Sequence, residues 1–446
     1  MTKTIVAVAT PPGTGGLAVI RISGDSAFDI LGKCFVSARK IDFTKGGRIY
    51  YGKILYKEQV VDSITASIFI APKSYTGENT VEIGCHGNSI LAERLVDILV
   101  ECGATYAEPG EFTKRAFLNG KLDLAQAEGV ADLIHSVSMP GVETAARQLE
   151  GNFTARLSIM RQQLLDISSL LELELDFADE GLDFVQKSEI KSRIESTIEF
   201  CKDLVDSFTA SEICRSGFYV GIAGYPNSGK STLFNSLLGR SRAIVSEIAG
   251  TTRDYLEESL YINGMRLIIA DTAGIRETED TIEIEGIKFV ESVIERANLV
   301  IVLNDSQISP DASDALADSI SLKFAGKEVI IVQNKIDLSG FDSDDYLCVS
   351  AKSGGGIDKL KQFIYQKAAD SISGLSDILI NTRHKQLLTN VLNILDSAII
   401  ALESEMDNEV IAIDLRSATK ILGELTGESW NEEVLANIFS RFCIGK

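Results

Sequence analysis

Apolar positions recur along this chain in two rhythms. Between residues 1 and 119, short β-like runs (Ile5–Ala9, Leu17–Ile22, Ser63–Ile70, Thr80–Cys85) alternate with helical stretches (Ser26–Cys34, Ser89–Cys102). That is an α+β pattern. From Lys121 to about Cys214 the rhythm turns helical. Leu149, Phe153, Leu157, Met160, Leu164, Ile167 and Leu171 recur at steps of three and four, which predicts one apolar stripe on a long helix packed in a bundle. From Phe218 to about Ser371 strands alternate with helices in an α/β pattern. Helical periodicity returns from about Arg383 to Phe442.

Neither helical flank has many helices, so the two are expected to form one all-α domain. The α/β domain would then be inserted between its halves, because the two ends of such a domain can lie close together. The expected segments are 1–119, 120–214, 215–375 and 376–446. The acidic stretch at 176–183 is expected to mark a bend between helices.

Three of the strands expected in the α/β segment run straight into chemistry. After Phe218–Ala223 comes Gly224-x4-Gly229-Lys230-Ser231, a phosphate-binding loop opening a helix at Thr232–Leu238. Its glycines let amides turn inward around a phosphate, and the helix N-terminus favours negative charge. Asn227, Ser228, Gly229, Lys230, Ser231 and Thr232 are therefore assigned to the nucleotide, with Lys230 on the β- and γ-phosphates and Ser231 on Mg²⁺. After Leu267–Ala270 comes Asp271-Thr272-Ala273-Gly274. Asp271 would hold Mg²⁺ through water, and the Gly274 amide would touch the γ-phosphate. After Val329–Gln333 comes Asn334-Lys335-Ile336-Asp337. Asp337 can accept two hydrogen bonds from guanine; adenine would leave that buried carboxylate unpaired, which is expensive. Asn334 would brace the loop and the Lys335 stem would pack on the base. Ser350-Ala351-Lys352 would supply an amide to guanine O6. The four strings, in this order, assign the segment to GTP binding and hydrolysis.

Between the first two lies Ile248-Ala249-Gly250-Thr251-Thr252-Arg253-Asp254. Thr252 is the expected switch threonine, closing on Mg²⁺ when the γ-phosphate is present. Small signalling GTPases carry a glutamine directly after this Asp-Thr-Ala-Gly string to orient water. Here the position is Ile275, which cannot polarise water, so another group and another positive charge are needed. Asn227 offers two readings: a ligand for K⁺ lying against the phosphates, or a brace of the loop.

Composition changes this picture little. With 446 residues there is room for two to four domains. No run of about eighteen apolar residues exists and the N-terminus has no signal-like apolar core, so no membrane span and a cytoplasmic location are expected. The seven cysteines are scattered without a C-x-x-C pair, which argues against structural zinc. Net charge is −21, yet residues 1–120 carry 13 Lys/Arg against 12 Asp/Glu. An anionic partner is expected to meet this nearly neutral part or a local patch, not the chain as a whole.

Three strings outside the α/β segment carry a resemblance: TPPGTGGLAVIRISG near the start, GEFTKRAFLNGKLDLAQAEGVADLI at 110–134, and FCIGK at 442–446. With the GTP-binding set between them, the chain resembles, over its whole length, the tRNA uridine-5-carboxymethylaminomethyl modification GTPases of the MnmE/TrmE family. The resemblance implies an enzyme that adds a carboxymethylaminomethyl group at C5 of the wobble uridine of certain tRNAs. It implies an FAD-dependent partner, MnmG/GidA, in a heterotetramer, and 5-formyl- or 5,10-methylene-tetrahydrofolate as one-carbon donor. The implied fold is an α+β N-terminal domain that binds folate and forms the homodimer, a helical domain built from two segments, and a P-loop GTPase domain whose dimerisation with K⁺ triggers hydrolysis. Carried over by position, Arg21, Glu82, Lys121 and Lys446 line the folate site. Asn227, Ser246, Ile248 and Thr251 hold K⁺, and Ser231 and Thr252 hold Mg²⁺. The catalytic glutamate falls on Glu283, with Glu279 or Glu285 as rivals in register. Cys443 is open to a positioning or a nucleophilic role. Tyr225 departs mildly from the family, many members of which carry a basic residue there. A ribosome-assembly GTPase is the alternative reading; such proteins usually carry a basic RNA-binding domain, which the C-terminal flank here does not resemble.

Overall fold

A computed structural model describes residues 3–176, 186–239, 257–271, 290–309, 311–343, 345–404 and 406–446. The chain separates into two compact units. One gathers Met1–Ala131, Gln148–Glu199 and Leu387–Lys446; the other gathers Asp132–Arg147 and Phe200–Gln386.

The first unit is built on a seven-stranded sheet: β1 (Ile5–Val8), β2 (Ala18–Ser23), β3 (Phe35–Ser37), β4 (Arg48–Tyr56), β5 (Gln59–Phe69), β6 (Thr80–Cys85) and β7 (Thr105–Tyr106), in the order β3-β4-β5-β6-β2-β1-β7. Its pairs are antiparallel except β1 with β7. The period-2 alternation of β5 turns Ile64, Ala66 and Ile68 onto one face. There they form a core with Ile20, Ile22, Val81 and Ile83, covered by α1 (Ala27–Cys34) and α2 (Ser89–Glu101). The register places Ile49 and Tyr51 of β4 on the opposite face, where they stay exposed with Val36 and Leu17.

The helices α3 (Glu111–Leu118), α4 (Leu124–His135), α5 (Met139–Leu149), α6 (Asn152–Asp176) and α7 (Lys187–Asp206) follow. The stripe expected as one helix is divided: Leu149 ends α5 and the rest lies on α6, with Gly151 between them, a residue whose flexibility suits a break. Phe153, Leu157, Leu164, Ile167 and Leu171 are buried. Within this unit α6 packs along α14 (Asn408–Thr426), where the Ser168 hydroxyl donates to the Ala412 carbonyl at 3.4 Å. Late in the chain come α13 (Thr382–Glu403) and α15 (Glu432–Phe439). Among the described residues no helix is long and apolar enough to cross a membrane.

The second unit holds a six-stranded sheet: β8 (Phe218–Ala223), β9 (Glu257–Ile262), β10 (Met265–Asp271), β11 (Leu299–Asp305), β12 (Glu328–Asn334) and β13 (Leu347–Cys348), in the order β13-β12-β11-β8-β10-β9. Only β9 with β10 is antiparallel. Its helices are α8 (Phe208–Ser216), α9 (Lys230–Leu238), α10 (Asp311–Lys323), α11 (Ile336–Ser339) and α12 (Ile357–Ile372). α9 and α12 pack on one face and α10 on the other. Burial on both faces explains why β8 and β11 read as unbroken apolar runs instead of alternating. The C-terminal ends of β8, β10 and β12 are where a ligand belongs in such a sheet.

Candidate nucleotide and folate sites

The phosphate loop leaves β8 at Gly224 and re-enters helix at Lys230. Gly229 sits at φ +96, and a Cβ there would lie 2.4 Å from Asn334 Nδ2. Only glycine fits that approach. Asn334 is buried and ties three loops together. Its Nδ2 donates to the Ser228 carbonyl at 2.9 Å, and its Oδ1 accepts the Ala351 amide at 3.0 Å. The phosphate loop, the Asn-Lys-Ile-Asp loop and the Ser-Ala-Lys loop are therefore set by one side chain.

Lys230 Nζ donates to the carbonyls of Gly224 (2.9 Å) and Tyr225 (3.1 Å). Burial pushes its ammonium below the ordinary lysine range, against the pull of Asp271. An anion bound beside it would reverse that cost. The Ser231 hydroxyl donates to Asp271 Oδ2 at 2.7 Å. A hydroxyl and a carboxylate oxygen side by side are the donor set a hard divalent cation takes. Ser228 Oγ is buried and finds no partner among the described residues. Asn227 sits at φ +63 in the same loop. The Tyr225 hydroxyl donates to the Ala312 carbonyl at 3.3 Å.

A cavity of about 440 Å³ opens beside this loop, lined by Gly229, Thr232, Lys335, Asp337, Leu338 and Lys352 among others. Lys335 holds φ +64, and its Nζ pairs with Asp305 Oδ2 at 2.7 Å. Burial works to raise the Asp305 carboxyl, but Lys335 and the Gln307 amide outweigh it and hold it low. Asp337 Oδ1 accepts the Ser350 hydroxyl at 2.6 Å. The Ser350 amide goes to the Gly355 carbonyl and that of Ala351 to Asn334. The string was expected to supply one amide to the base, and that of Lys352 has no acceptor among the described residues. Ile336 opens α11. Ser246, Ile248, Ala249, Gly250, Thr251, Thr252, Thr272, Ala273, Gly274, Ile275 and Glu283, with its rivals Glu279 and Glu285, lie outside the described residues.

In the first unit, Arg21 on β2 stands opposite Glu82 on β6. Its Nε and Nη2 reach Glu82 Oε1 at 3.0 and 2.8 Å, and Nη1 meets the Gly445 carbonyl at 3.5 Å. The guanidinium lies 5.2 Å from the Tyr75 ring centroid and 5.6 Å from that of Phe112. The tail arrives by close packing: Gly445 sits at φ +95, and a Cβ there would lie 2.2 Å from the Val8 carbonyl. That contact delivers Lys446. Burial first, then the Arg21 charge, push its ammonium below the usual range, while Glu82 opposes them. Two cations and one carboxylate are thereby gathered from β2, β6 and the tail. Glu82 Oε2 has no partner among the described residues. Lys121 Nζ donates to the Pro72 carbonyl at 3.2 Å, on the loop that carries Tyr75. Cys443 is exposed, and its carbonyl accepts the Lys446 amide at 3.3 Å. Tyr75 and Phe112 escaped the sequence reading. Phe112 lies inside the string GEFTKRAF that carried the resemblance, which was the available signal; Tyr75 had none.

Residues 124–443 match the MnmE helical domain family and residues 4–121 match the family of the GTP-binding protein TrmE N-terminus. The chain is 39% identical to the tRNA modification GTPase MnmE of Christiangramia forsetii, covering 100% of both chains. It is 41% identical to that of Flavobacterium psychrophilum, covering 99% of each. Among solved structures, Era of Aquifex aeolicus bound to GDP and AlF4⁻ is 30% identical over 33% of this chain and 56% of that one, with a TM-score of 0.27.

Proposed function

The chain belongs to the family of the tRNA modification GTPase MnmE, and from that premise we propose that it couples GTP hydrolysis to C5-carboxymethylaminomethylation of the wobble uridine in certain tRNAs. The observation that carries this reading is the pairing, in one chain, of a guanine-reading loop set tied by Asn334 with the Arg21–Glu82–Lys446 cluster. Neither alone would separate a modifying enzyme from a switch.

In the nucleotide site, Asp337 reads the base and Lys230 faces the phosphates. Mg²⁺ would be held by Ser231 and Thr252, with Asp271 beside them, and would neutralise charge on the β- and γ-phosphates. K⁺ would be held by Asn227, Ser246, Ile248 and Thr251 and would supply the positive charge that an arginine finger supplies elsewhere. Glu283 is assigned to orient water, the role Ile275 cannot fill.

In the other site, Arg21 and Lys446 suit the carboxylates of a tetrahydrofolate, Glu82 suits the donor edge of its pterin, and Lys121 lies at the margin. The folate would supply the one-carbon unit, as 5-formyl- or 5,10-methylene-tetrahydrofolate. An FAD-dependent partner of the MnmG/GidA kind completes the chemistry in a heterotetramer. Homodimerisation is supported by the exposed sheet face bearing Leu17, Val36, Ile49 and Tyr51, since clustered exposed apolar side chains mark contact surfaces. We assign 1–119 to the folate-binding part, 215–375 to the GTPase part, and 120–214 with 376–446 to the helical part, in a cytoplasmic protein.

Nucleoside mass spectrometry of tRNA tests the reading. Cells lacking the protein should lose C5-aminomethyl wobble uridines, and wild type but not Glu283→Ala should restore them. Unchanged nucleosides would leave a GTPase with another task.

A further inference from the structure

Beyond the end of β6 stands a histidine that the reading above does not use. His86 Nδ1 lies 2.7 Å from Asp62 Oδ1, and Asp62 Oδ2 accepts the His86 amide at 3.0 Å. Asp62 Oδ1 also accepts the Ser63 amide at 2.7 Å. The carboxylate side chain is 8% exposed and the imidazole 70%. A carboxylate that only accepts requires Nδ1 to carry the hydrogen. Nε2 is then the ring's free position, an acceptor in the neutral imidazole.

The turn that carries His86 is clamped to the loop between β1 and β2. The Gly15 amide donates to the Gly87 carbonyl at 2.8 Å, the Gly13 amide to Ser89 Oγ at 3.0 Å, and Ser89 Oγ back to the Gly13 carbonyl at 3.2 Å. Residues 11–17 are exposed throughout. Gly16 needs no positive φ, and a Cβ on it would meet nothing within 4 Å. The missing side chain leaves the backbone there open to close approach by a bound group. The amides of Thr14 and Gly16 find no acceptor among the described residues.

We propose that His86 and the Gly13–Gly16 loop form a ribose–phosphate subsite for the RNA substrate. The 2′-hydroxyl donates to His86 Nε2, and the loop amides take the adjoining phosphate. The inference rests on the tRNA substrate read above. The subsite lies about 13 Å from Glu82, four residues at ~3.3 Å each along the line of β6. That is too far for His86 to touch chemistry at Glu82, but within the reach of a few nucleotides of single strand. The subsite falls within residues 1–120, whose 13 Lys/Arg and 12 Asp/Glu nearly cancel, in a chain of net charge −21. It also reads the one group that separates RNA from DNA.

The test is binding of an anticodon stem-loop RNA, and of its 2′-deoxy counterpart in the loop nucleotides, to the full-length protein by fluorescence anisotropy at fixed salt. Wild type should prefer the ribose form. His86→Ala should weaken RNA binding about fivefold, the size of one net hydrogen bond, and erase that preference. Gly16→Val should weaken both forms. Melting temperature, GTP turnover and 5-formyltetrahydrofolate affinity should stay at wild-type values. Unchanged RNA affinity in both variants would overturn the subsite, as would loss of folate affinity, of dimer mass in sedimentation, or of thermal stability in place of RNA binding. A wild-type protein that binds no RNA would instead overturn the tRNA reading beneath it.

Discussion

Asn334 and Asp337 show what a residue can disclose from sequence. Asn334 meets fixed hydrogen-bonding partners and Asp337 is proposed to meet one in the base, so side-chain type and spacing carry each role. Asp337→Asn replaces an acceptor of two N–H bonds by an amide, which should shift preference from GTP towards xanthosine triphosphate; competition binding of the two nucleotides reads it, and unchanged preference would detach Asp337 from the base. Lys446 is different, because its surroundings come from residues far away in sequence. Burial and Arg21 hold its ammonium below 10.5, so an anion bound beside it should raise it again. Binding of 5-formyltetrahydrofolate at alkaline pH should therefore take up protons, measured as a buffer-dependent heat in calorimetry. In Lys446→Gln the affinity should fall and the uptake should vanish; a buffer-independent heat in wild type would remove Lys446 from the site. Tyr75 and Phe112 could not be read in this way. An aromatic ring under Arg21 is specified by the fold, and nothing local distinguishes it from a core residue.

At the scale of elements, legibility follows burial. β8 and β11 are buried on both faces, so unbroken apolar runs announced them. β4 was missed because Ile49 and Tyr51 put large side chains of apolar character on its outer face while Gly52 leaves a gap in its inner row. The ion pair that leads into β8 was invisible as well. Within the second unit Arg215 Nε and Nη2 grip Asp132 Oδ1 and Oδ2 at 2.6 and 2.8 Å, and Nη1 donates to the Ile380 carbonyl at 2.5 Å. One guanidinium on α8 thus fastens the end of α4 and the segment before α13, just ahead of the strand that feeds the phosphate loop. Removing one partner of a mostly buried pair strands the other. Arg215→Ala should cost about 3 kcal/mol in denaturant unfolding, and a loss near zero would mean that water replaces the guanidinium. Gly151 supplied the other correction, by dividing a stripe whose spacing alone ran through it.

For the whole molecule, the order of motifs made the α/β segment and its nucleotide readable, and the flanks were readable only through family strings. Asn227 is the described member of the proposed K⁺ set, and its test belongs at this scale because hydrolysis is proposed to need two GTPase parts. Exchanging K⁺ for Na⁺ at constant ionic strength should slow GTP turnover sharply and abolish GTP-dependent association; equal rates would leave Asn227 as a brace. The contact between Gly445 and the Val8 carbonyl has a consequence in time. During synthesis every strand of the second sheet leaves the ribosome before the segment that closes on β1. At ~5–20 residues per second, the first strand waits roughly 20–90 seconds for its distant neighbour. The sheet that is made first therefore has all its strands early, and only the site built on it at Arg21 and Glu82 waits for the tail that brings Lys446.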